Sequence, residues 1–352
     1  MTADLRLRRR PTLRVRFRGS GFVVDSPELS RAYEMQLPAM RILSLCELPV
    51  ARNVLVEWAD LESDAARALI DNLEREGLLV ATEEQLPTPW DRWGLAAWFA
   101  HWEGARTRFL HVEEEVVALK QDILLREPPA LTTTRHRDEG LPVVELEPVT
   151  ESLMSTPLNE ILVHRRTARF AASNPSTIDQ VSAVVGATFA SQGKFEAGQF
   201  GDVHMKSYPA AGGRHDLDAY VLVFDVEGLA SGTYWYDDEY HSLRRIGPTP
   251  DRSRWDLLTG AQGPLLFASF ACVTVSVTAR LAWKYRSPRT YRDVWQHTGH
   301  AVQVLQMAAT SAGLESFITG AFSDHEVQRE LGLEADEWPT FVVAFNGEAK
   351  SD

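Results

Sequence analysis

Residues 208–220 read Tyr-Pro-Ala-Ala-Gly-Gly-Arg-His-Asp-Leu-Asp-Ala-Tyr, and the paired glycines Gly212 and Gly213 constrain the chain more than any other feature. They stand between a proline turn and an apolar strand. There they permit a tight backbone and let main-chain N–H groups come close to a ligand. Three companions lie in the same half of the chain. Arg165-Arg166-Thr167-Ala168-Arg169 precedes the glycines, Lys284-Tyr285 follows them, and a helix-patterned stretch over 293–312 ends at Gly313.

The chain has 352 residues, too many for one ordinary core and about right for two domains. With 44% hydrophobic and 24% charged residues it reads as a soluble globular protein. A net charge of −13 argues against general nucleic-acid binding. One local basic patch comprises Arg6, Arg8, Arg9, Arg10, Arg14, Arg16 and Arg18. Within it, arginine alternates with Leu13, Val15 and Phe17. That alternation predicts a strand with one buried and one charged face, either simply solvated or a site for an acidic peptide. No apolar segment follows the arginines as a signal peptide requires, and no run is long enough to span a membrane, so a cytoplasmic protein with no membrane partner is expected. Cys46 and Cys272 are the only cysteines, which suggests neither a disulfide scaffold nor a structural zinc site.

Residues 1–86 read as a separate, winged-helix-like module. After the Arg-rich strand, Pro38–Glu47 is expected to be helical, with Met40, Leu43 and Leu45 available for packing. A second helix is expected over Glu62–Glu76, where Ala65, Ala66, Leu69, Ile70 and Leu73 recur at helical spacing and Gly77 stands at the end. Leu78–Val80 then reads as a strand. The second helix carries Glu62, Asp64, Asp71, Glu74 and Glu76, and phosphate repulsion makes it a poor DNA-recognition helix. Peptide capture by strand addition at an exposed edge fits better, with pure scaffolding as the alternative.

Residues 87–150 comprise a Trp-rich helical segment, with Trp98, Trp102 and Phe109 on one face as core, and a Pro-rich linker over 127–150. Residues 151–352 read as one α+β domain. Strands are expected at Tyr220–Val226, Leu265–Val277 and Phe341–Phe345, and helices over 156–166, 177–190, 293–312 and 324–331.

Arg165, Arg166, Thr167 and Arg169 stand where an apolar helix containing Leu158, Ile161 and Leu162 runs out. Guanidinium groups beside a hydroxyl suit a phosphate through charge-assisted, bidentate bonds; a merely charged helix end is the other reading. His297 and His300 have a spacing that suits a metal, but no third ligand accompanies them, and no metal site is expected. Cys272 is expected in the core, and no G-x-G-x-x-G follows a strand, so no Rossmann dinucleotide site is expected.

As a set, these pieces resemble the nitroreductase-like flavoenzymes in their SagB-type (McbC-like) branch, the azoline oxidases of modified-peptide biosynthesis. The matching pieces are Arg165 to Phe170, Pro209 to His215, and Gly232-Thr-Tyr-Trp-Tyr-Asp237 with His241-Ser-Leu243. Gly299-His300 with Gln303, Ala308, Ala309 and Gly313-Leu314, then Ile318-Thr319-Gly320-Ala321-Phe322, complete the set. The resemblance implies an α+β, nitroreductase-like FMN-binding fold with a central, mostly antiparallel sheet, surrounding helices and a homodimer with FMN at its interface. By motif position, Arg165, Thr167 and Arg169, with Arg166 beside them, would hold the phosphate. Pro209, Ala211, Gly212 and Gly213 would line the isoalloxazine, and Gly320 would approach it through its backbone. Ala210 stands where the family's usual serine would add a contact. Lys350 is the only basic residue available where many nitroreductases close on the phosphate.

Lys284-Tyr285 stands where azoline oxidases of this family carry a Lys-Tyr pair associated with ring aromatisation. Converting a thiazoline or oxazoline to an azole removes a proton from one ring carbon and a hydride from the next. FMN accepts the hydride, and the protein supplies a base. Lys284 serves if burial and Arg280 or Arg286 lower its pKa, and Tyr285 relays the proton or positions the ring. The resemblance thus implies an FMN-dependent dehydrogenase acting on a ribosomally made peptide, leader and core, with dioxygen reoxidising the flavin and a cyclodehydratase as partner. A related oxidase acting on a carrier-bound nonribosomal peptide fits the sequence equally, and two further alternatives stay open. One is a flavin-dependent reductase of dehydroalanine or a nitro group using NAD(P)H. The other is a non-catalytic peptide-binding scaffold on a degenerate flavin fold.

Overall fold

A computed structural model describes residues 6–29, 31–81, 90–105, 113–126, 140–148, 151–198 and 201–348. The chain divides into two units, Met1–Thr107 and Arg108–Asp352.

The first unit runs β1 (Arg6–Arg9), β2 (Arg14–Arg18), β3 (Gly21–Asp25), β4 (Tyr33–Met35), α1 (Leu37–Leu45), β5 (Val50–Ala51), α2 (Arg52–Trp58), α3 (Ser63–Arg75), β6 (Leu79–Val80) and α4 (Trp90–Ala105). Two small sheets form, in the orders β5-β1-β6 and β2-β3-β4. α3 buries Ala66, Ile70 and Leu73 and leaves Ala65 in solvent. It stops where expected. Gly77 takes φ +74°, and Leu78 N–H donates to Leu73 O (2.8 Å), the bond that closes a helix through a left-handed glycine. α1 buries Ala39, Ile42 and Leu43, whereas Leu45 is exposed. Trp98 is buried and meets Trp102 edge to face, with ring centroids 5.4 Å apart. Phe109 lies outside the described residues.

The Arg-rich strand departs from its expected burial. In β2 both faces are open: Phe17 is 85% exposed and meets the Phe22 ring, and Val15 is exposed too. The charges are tied by ion pairs at the surface instead. Arg14 and Arg16 share the carboxylate of Asp25, and Arg14 also reaches Glu103. Ion pairs satisfy two of the arginines that an acidic peptide would need.

The second unit begins with α5 (Glu113–Arg126), β7 (Val143–Glu145), α6 (Leu158–His164), β8 (Ser176–Thr177), α7 (Ile178–Phe189), β9 (Gly193–Glu196), β10 (Asp202–Met205), β11 (Leu217–Val223), β12 (Val226–Glu227), β13 (Gly232–Asp237) and β14 (Ser242–Gly247). It continues through α8 (Arg252–Leu258), β15 (Phe270–Val277), α9 (Thr278–Lys284), α10 (Thr290–Ser311), β16 (Leu314–Thr319), α11 (Asp324–Glu330) and β17 (Glu337–Gly347). A seven-stranded sheet in the order β16-β17-β15-β11-β13-β14-β7 is antiparallel throughout. β11 shows how it is covered. Leu217, Ala219, Val221 and Val223 join the core formed with α7 and α10, while Tyr220 and Leu222 join the core beneath α8 and α11. The pleat turns alternate residues to opposite faces, and both faces are covered by helices. α10 packs through Val294, His297, Ala301, Leu305 and Ala308, at helical spacing.

Several expected boundaries move; the strand expected at Tyr220–Val226, for one, runs from Leu217 to Val223. Val143–Glu145, inside the stretch read as a linker, pairs with β14 as the last strand of the sheet. Pro264–Leu266 makes a single helical turn, so the strand expected from Leu265 begins at Phe270. Among the described residues, no helix is long and apolar enough to cross a membrane.

Phe345 in β17 is fully buried and stacks on Phe270, with ring centroids 4.5 Å apart. Phe345→Ala should cost about 3–5 kcal/mol through lost transfer energy and a residual cavity. A urea titration checks this, and a loss under about 1 kcal/mol would mean that the site collapses freely.

Candidate functional site

Pro209 leads into a single turn over Ala211–Gly213, in which Gly212 takes φ +56° and Gly213 φ +69°. Glycine reaches this left-handed region at little cost. Gly213 N–H donates to Ala210 O (3.1 Å) and Arg214 N–H to Ala211 O (3.0 Å). A side chain at either glycine would be strained by the positive φ and would have to displace a neighbour. A Cβ on Gly213 would strike Val203. One on Gly212 would lie 2.6 Å from Lys284 Nζ and nearer still to Tyr285 Oη. Folding therefore brings Lys284 and Tyr285 onto the Gly-rich turn.

Lys284 is the last residue of α9, and Tyr285 closes it by donating its N–H to Leu281 O (2.8 Å). Lys284 Nζ lies 5.4 Å from the centroid of the Tyr285 ring. Burial holds the Lys284 ammonium below its ordinary pKa, and the charges of Arg214 and Lys120 push the same way. Arg214 thus takes the part that sequence reasoning gave to Arg280 or Arg286. Arg280 faces the core on Asp218 (2.5 Å), while Arg214 is 3% exposed and stacks 4.5 Å over Trp283. Burial raises the Tyr285 phenol, with Asp293 adding to it.

Behind the turn lies a buried polar cluster that sequence reasoning missed. Asp216 is fully buried and accepts from Ser276 Oγ (2.5 Å). His297 Nδ1 lies 2.6 Å from the other Asp216 oxygen, and His297 Nε2 lies 2.8 Å from Ala211 N. An amide N–H only donates, so Nε2 is the acceptor and Nδ1 carries the proton bound to Asp216. Asp218 accepts from Arg280 and from Trp235 Nε1 (3.1 Å). Two acids, two residues apart, therefore tie α9 and α10 to the turn. A signal was available. His215, Asp216 and Asp218 interrupt the onset of an apolar strand, and charged groups enter such places only when paired.

The Gly232–Leu243 motif has a structural use. It forms the β13–β14 hairpin, where His241 takes φ +49° and its Nδ1 lies 2.6 Å from Tyr236 Oη.

Arg165 follows the end of α6. Thr167 then bridges to Ser316, and Ala168 N–H donates to Ser316 O (2.8 Å), so this segment runs along β16. Arg169 lies 5.8 Å over the Phe317 ring. Arg165, Thr167 and Arg169 all keep solvent access. Arg166 is placed apart from them. It folds back onto Arg165 O (2.8 Å) and lines a cleft with Glu160, His164 and Glu315. Gly320 is exposed beyond β16, and a Cβ there would lie 3.2 Å from the Phe341 ring. Lys350 lies outside the described residues.

The two halves of the expected flavin site do not meet within one chain. The Gly-rich turn contacts α10 at His297 and at His300, whose Nδ1 lies 3.2 Å from Pro209 O. The Arg165–Arg169 segment lies near Thr310 at the other end of the helix. At 1.5 Å per residue, His297 and Thr310 are roughly 20 Å apart. The same contacts separate the two histidines, since His297 is buried on Asp216 and His300 is exposed. The residues present suit FMN. Solvent-facing guanidinium groups match a phosphate, and the glycines at 212, 213 and 320 put no side chain of their own between the main chain and a flat ring.

The nitroreductase family model matches residues 162–347, more than half of the chain, and the chain belongs to that family, which typically binds flavin. MJ1384 of Methanocaldococcus jannaschii, a nitroreductase by name, is 32% identical over 188 residues, 53% of this chain and 88% of that relative. The trifolitoxin-processing protein TfxF of Rhizobium leguminosarum bv. trifolii is 30% identical over 136 residues, 38% of this chain. The match spans only 45% of TfxF itself. A solved structure from Anabaena variabilis ATCC 29413, also a nitroreductase by name, superposes with a TM-score of 0.52 at 20% identity, covering 69% of this chain and 49% of that one. The α+β fold and the family expected from the motifs are the ones observed.

His215, 7% exposed and edge-on to Tyr208 at 4.8 Å, supplies a pH signature. Burial pushes its imidazole down to about 3. The unfolded chain titrates near the ordinary value of roughly 6.5. As pH falls through that window the unfolded chain takes up the proton first, and stability declines. Between about pH 7 and about pH 4, His215→Gln should flatten the decline in urea-derived stability by roughly 1–3 kcal/mol. An unchanged slope would mean that folded His215 protonates normally.

Proposed function

We propose that this protein is an FMN-dependent dehydrogenase that oxidises thiazoline or oxazoline rings to azoles in a ribosomally made peptide. The observation that carries this reading is the convergence of Lys284 Nζ and Tyr285 Oη on Gly212. FMN, when bound, supplies a hydride acceptor. Lys284, whose pKa is lowered by burial and by Arg214, is the base that removes the proton from the neighbouring ring carbon. Tyr285 retains its proton and orients the ring by donating from Oη. A depressed lysine pKa serves proton removal, and so favours oxidation over the reductive use of the same cofactor.

Arg165, Thr167 and Arg169 hold the phosphate, while Pro209–Gly213 and Gly320 lie against the isoalloxazine. Because these halves stand at opposite ends of α10, two copies of the chain complete each site, one giving the cations and the other the Gly-rich turn. A cavity of about 320 Å³, lined by Leu281, Tyr285, Tyr291, Val294 and Trp338, adjoins Tyr285 and takes the apolar flank of the peptide.

Kinship to a trifolitoxin-processing protein supports a peptide substrate. The winged-helix-like N-terminal unit supports one too. β4 is an edge strand, and a groove of about 410 Å³ runs beside it, floored by Met35, Ala39, Leu69 and Leu73. A leader segment adds there as a further strand, with the cyclodehydratase as working partner in the cytoplasm.

An absorbance spectrum with mass analysis of the released cofactor tests the reading first. A protein that cannot be loaded with FMN sinks it. Lys284→Ala should keep FMN and slow the two-hydrogen mass loss on azoline peptides by about 10²–10⁴-fold. Unchanged turnover would remove Lys284 from the mechanism. Arg165→Ala and Arg169→Ala should each weaken FMN binding by roughly 1.5–3 kcal/mol. Full retention of the cofactor in the double variant would put the phosphate elsewhere.

A further inference from the structure

We propose that His297 is a positioning residue. Held by Asp216, it fixes the amide of Ala211 and so sets the floor on which Lys284 and Tyr285 rest. Its consequence for the flavin rests on the function proposed above; its geometry does not.

His297 is 3% exposed on the buried stripe of α10, where its neighbours are Val294, Ala301 and Leu305. An apolar side chain would fill such a place without the desolvation cost of an imidazole and a carboxylate. The polar pair instead makes one directional connection. Asp216 takes the Nδ1 proton at 2.6 Å, which leaves Nε2 bare, and Nε2 then accepts from Ala211 N at 2.8 Å. Ala211 is the first residue of the turn, so an amide held there orients Gly212 and Gly213 behind it. Gly212 is the residue that Lys284 Nζ and Tyr285 Oη cover.

Asp216 also governs the other side of the contact. Its carbonyl accepts from Val277 N (2.7 Å) and its carboxylate from Ser276, the two residues that lead into α9. One carboxylate therefore registers the turn, through His297, against the helix that carries Lys284. His297 transfers no proton in this role. Its bare nitrogen faces an amide that does not ionise, and its only N–H is bound to Asp216.

Glutamine can reproduce the connection, since its carbonyl accepts where Nε2 does and its amide donates to Asp216; leucine cannot. His297→Leu should weaken FMN binding at least about tenfold and move the pH midpoint for acylation of Lys284, mapped by mass spectrometry on the cofactor-free protein, upward. His297→Gln should restore both to within about threefold and about half a pH unit of the parent. A leucine variant with parental FMN affinity and an unmoved Lys284 midpoint would overturn the proposal. Nitrogen-15 NMR of the histidine rings in the unmodified protein decides the matter even if the leucine variant fails to fold. Protonation at Nδ1 with a hydrogen-bonded, bare Nε2 is expected, and a ring protonated at Nε2 would refute the connection. If the parent binds no FMN, the flavin reading fails by itself, and the ring tautomer with the Lys284 midpoint still judges His297.

Discussion

The buried carboxylate of Asp216 is the point on which the active end of this fold depends. It accepts from Ser276 and binds His297, and its own backbone carbonyl holds Val277. Those partners lie at the start of α9, in the middle of α10 and, through His297, in the Gly-rich turn. A charged group without solvent demands full pairing, so each bond is effectively obligatory. That requirement converts three separate stretches of chain into one rigid corner. The Asp218–Arg280 pair repeats the device two residues further on and secures the body of α9.

This corner explains why a side chain at Gly212, already strained by a positive φ, would have to displace Lys284 and Tyr285. Lys284 and Tyr285 are carried by a helix whose start is bonded to Asp216, which fixes where their side chains begin. The proximity of Arg214, stacked on Trp283, then adds a positive charge beside an already desolvated amine. The lowered pKa of Lys284 is thus a product of packing: the corner holds a cation near a group that would otherwise turn to water.

Much of the fold was legible from local pattern. The helix over α3 and its glycine stop, the apolar cores of β11 and β17, and the long central helix each follow from residues within a few positions of one another. The same holds for Arg165 and Arg169, which stand where the helix must end, and for the glycine pair. The failures share a cause. β2 shows the alternation of a half-buried strand, yet Val15 and Phe17 are exposed because, among the described residues, no layer covers that face. Val143–Glu145 has too little length to announce itself and becomes a strand only because β14 offers an open edge. Arg166 sits among phosphate-like residues, but its guanidinium turns back onto Arg165 O and into the cleft beside Glu160.

The chain by itself determined most of the longer helices and strands, because periodicity and glycine stops act over a few residues. It also offered a Gly-rich turn, an arginine cluster and a Lys-Tyr pair as candidate site residues, and the resemblance of their motifs, not their spacing, joined them into one expected flavin site. Tertiary structure decided which of them touch. It set Lys284 over Gly212, gave Arg214 rather than Arg280 the task of depressing its pKa, and drew His297 and Asp216 into the connection behind the turn. Distance and burial across a sheet set these outcomes, and neither is encoded in the spacing of residues along the chain.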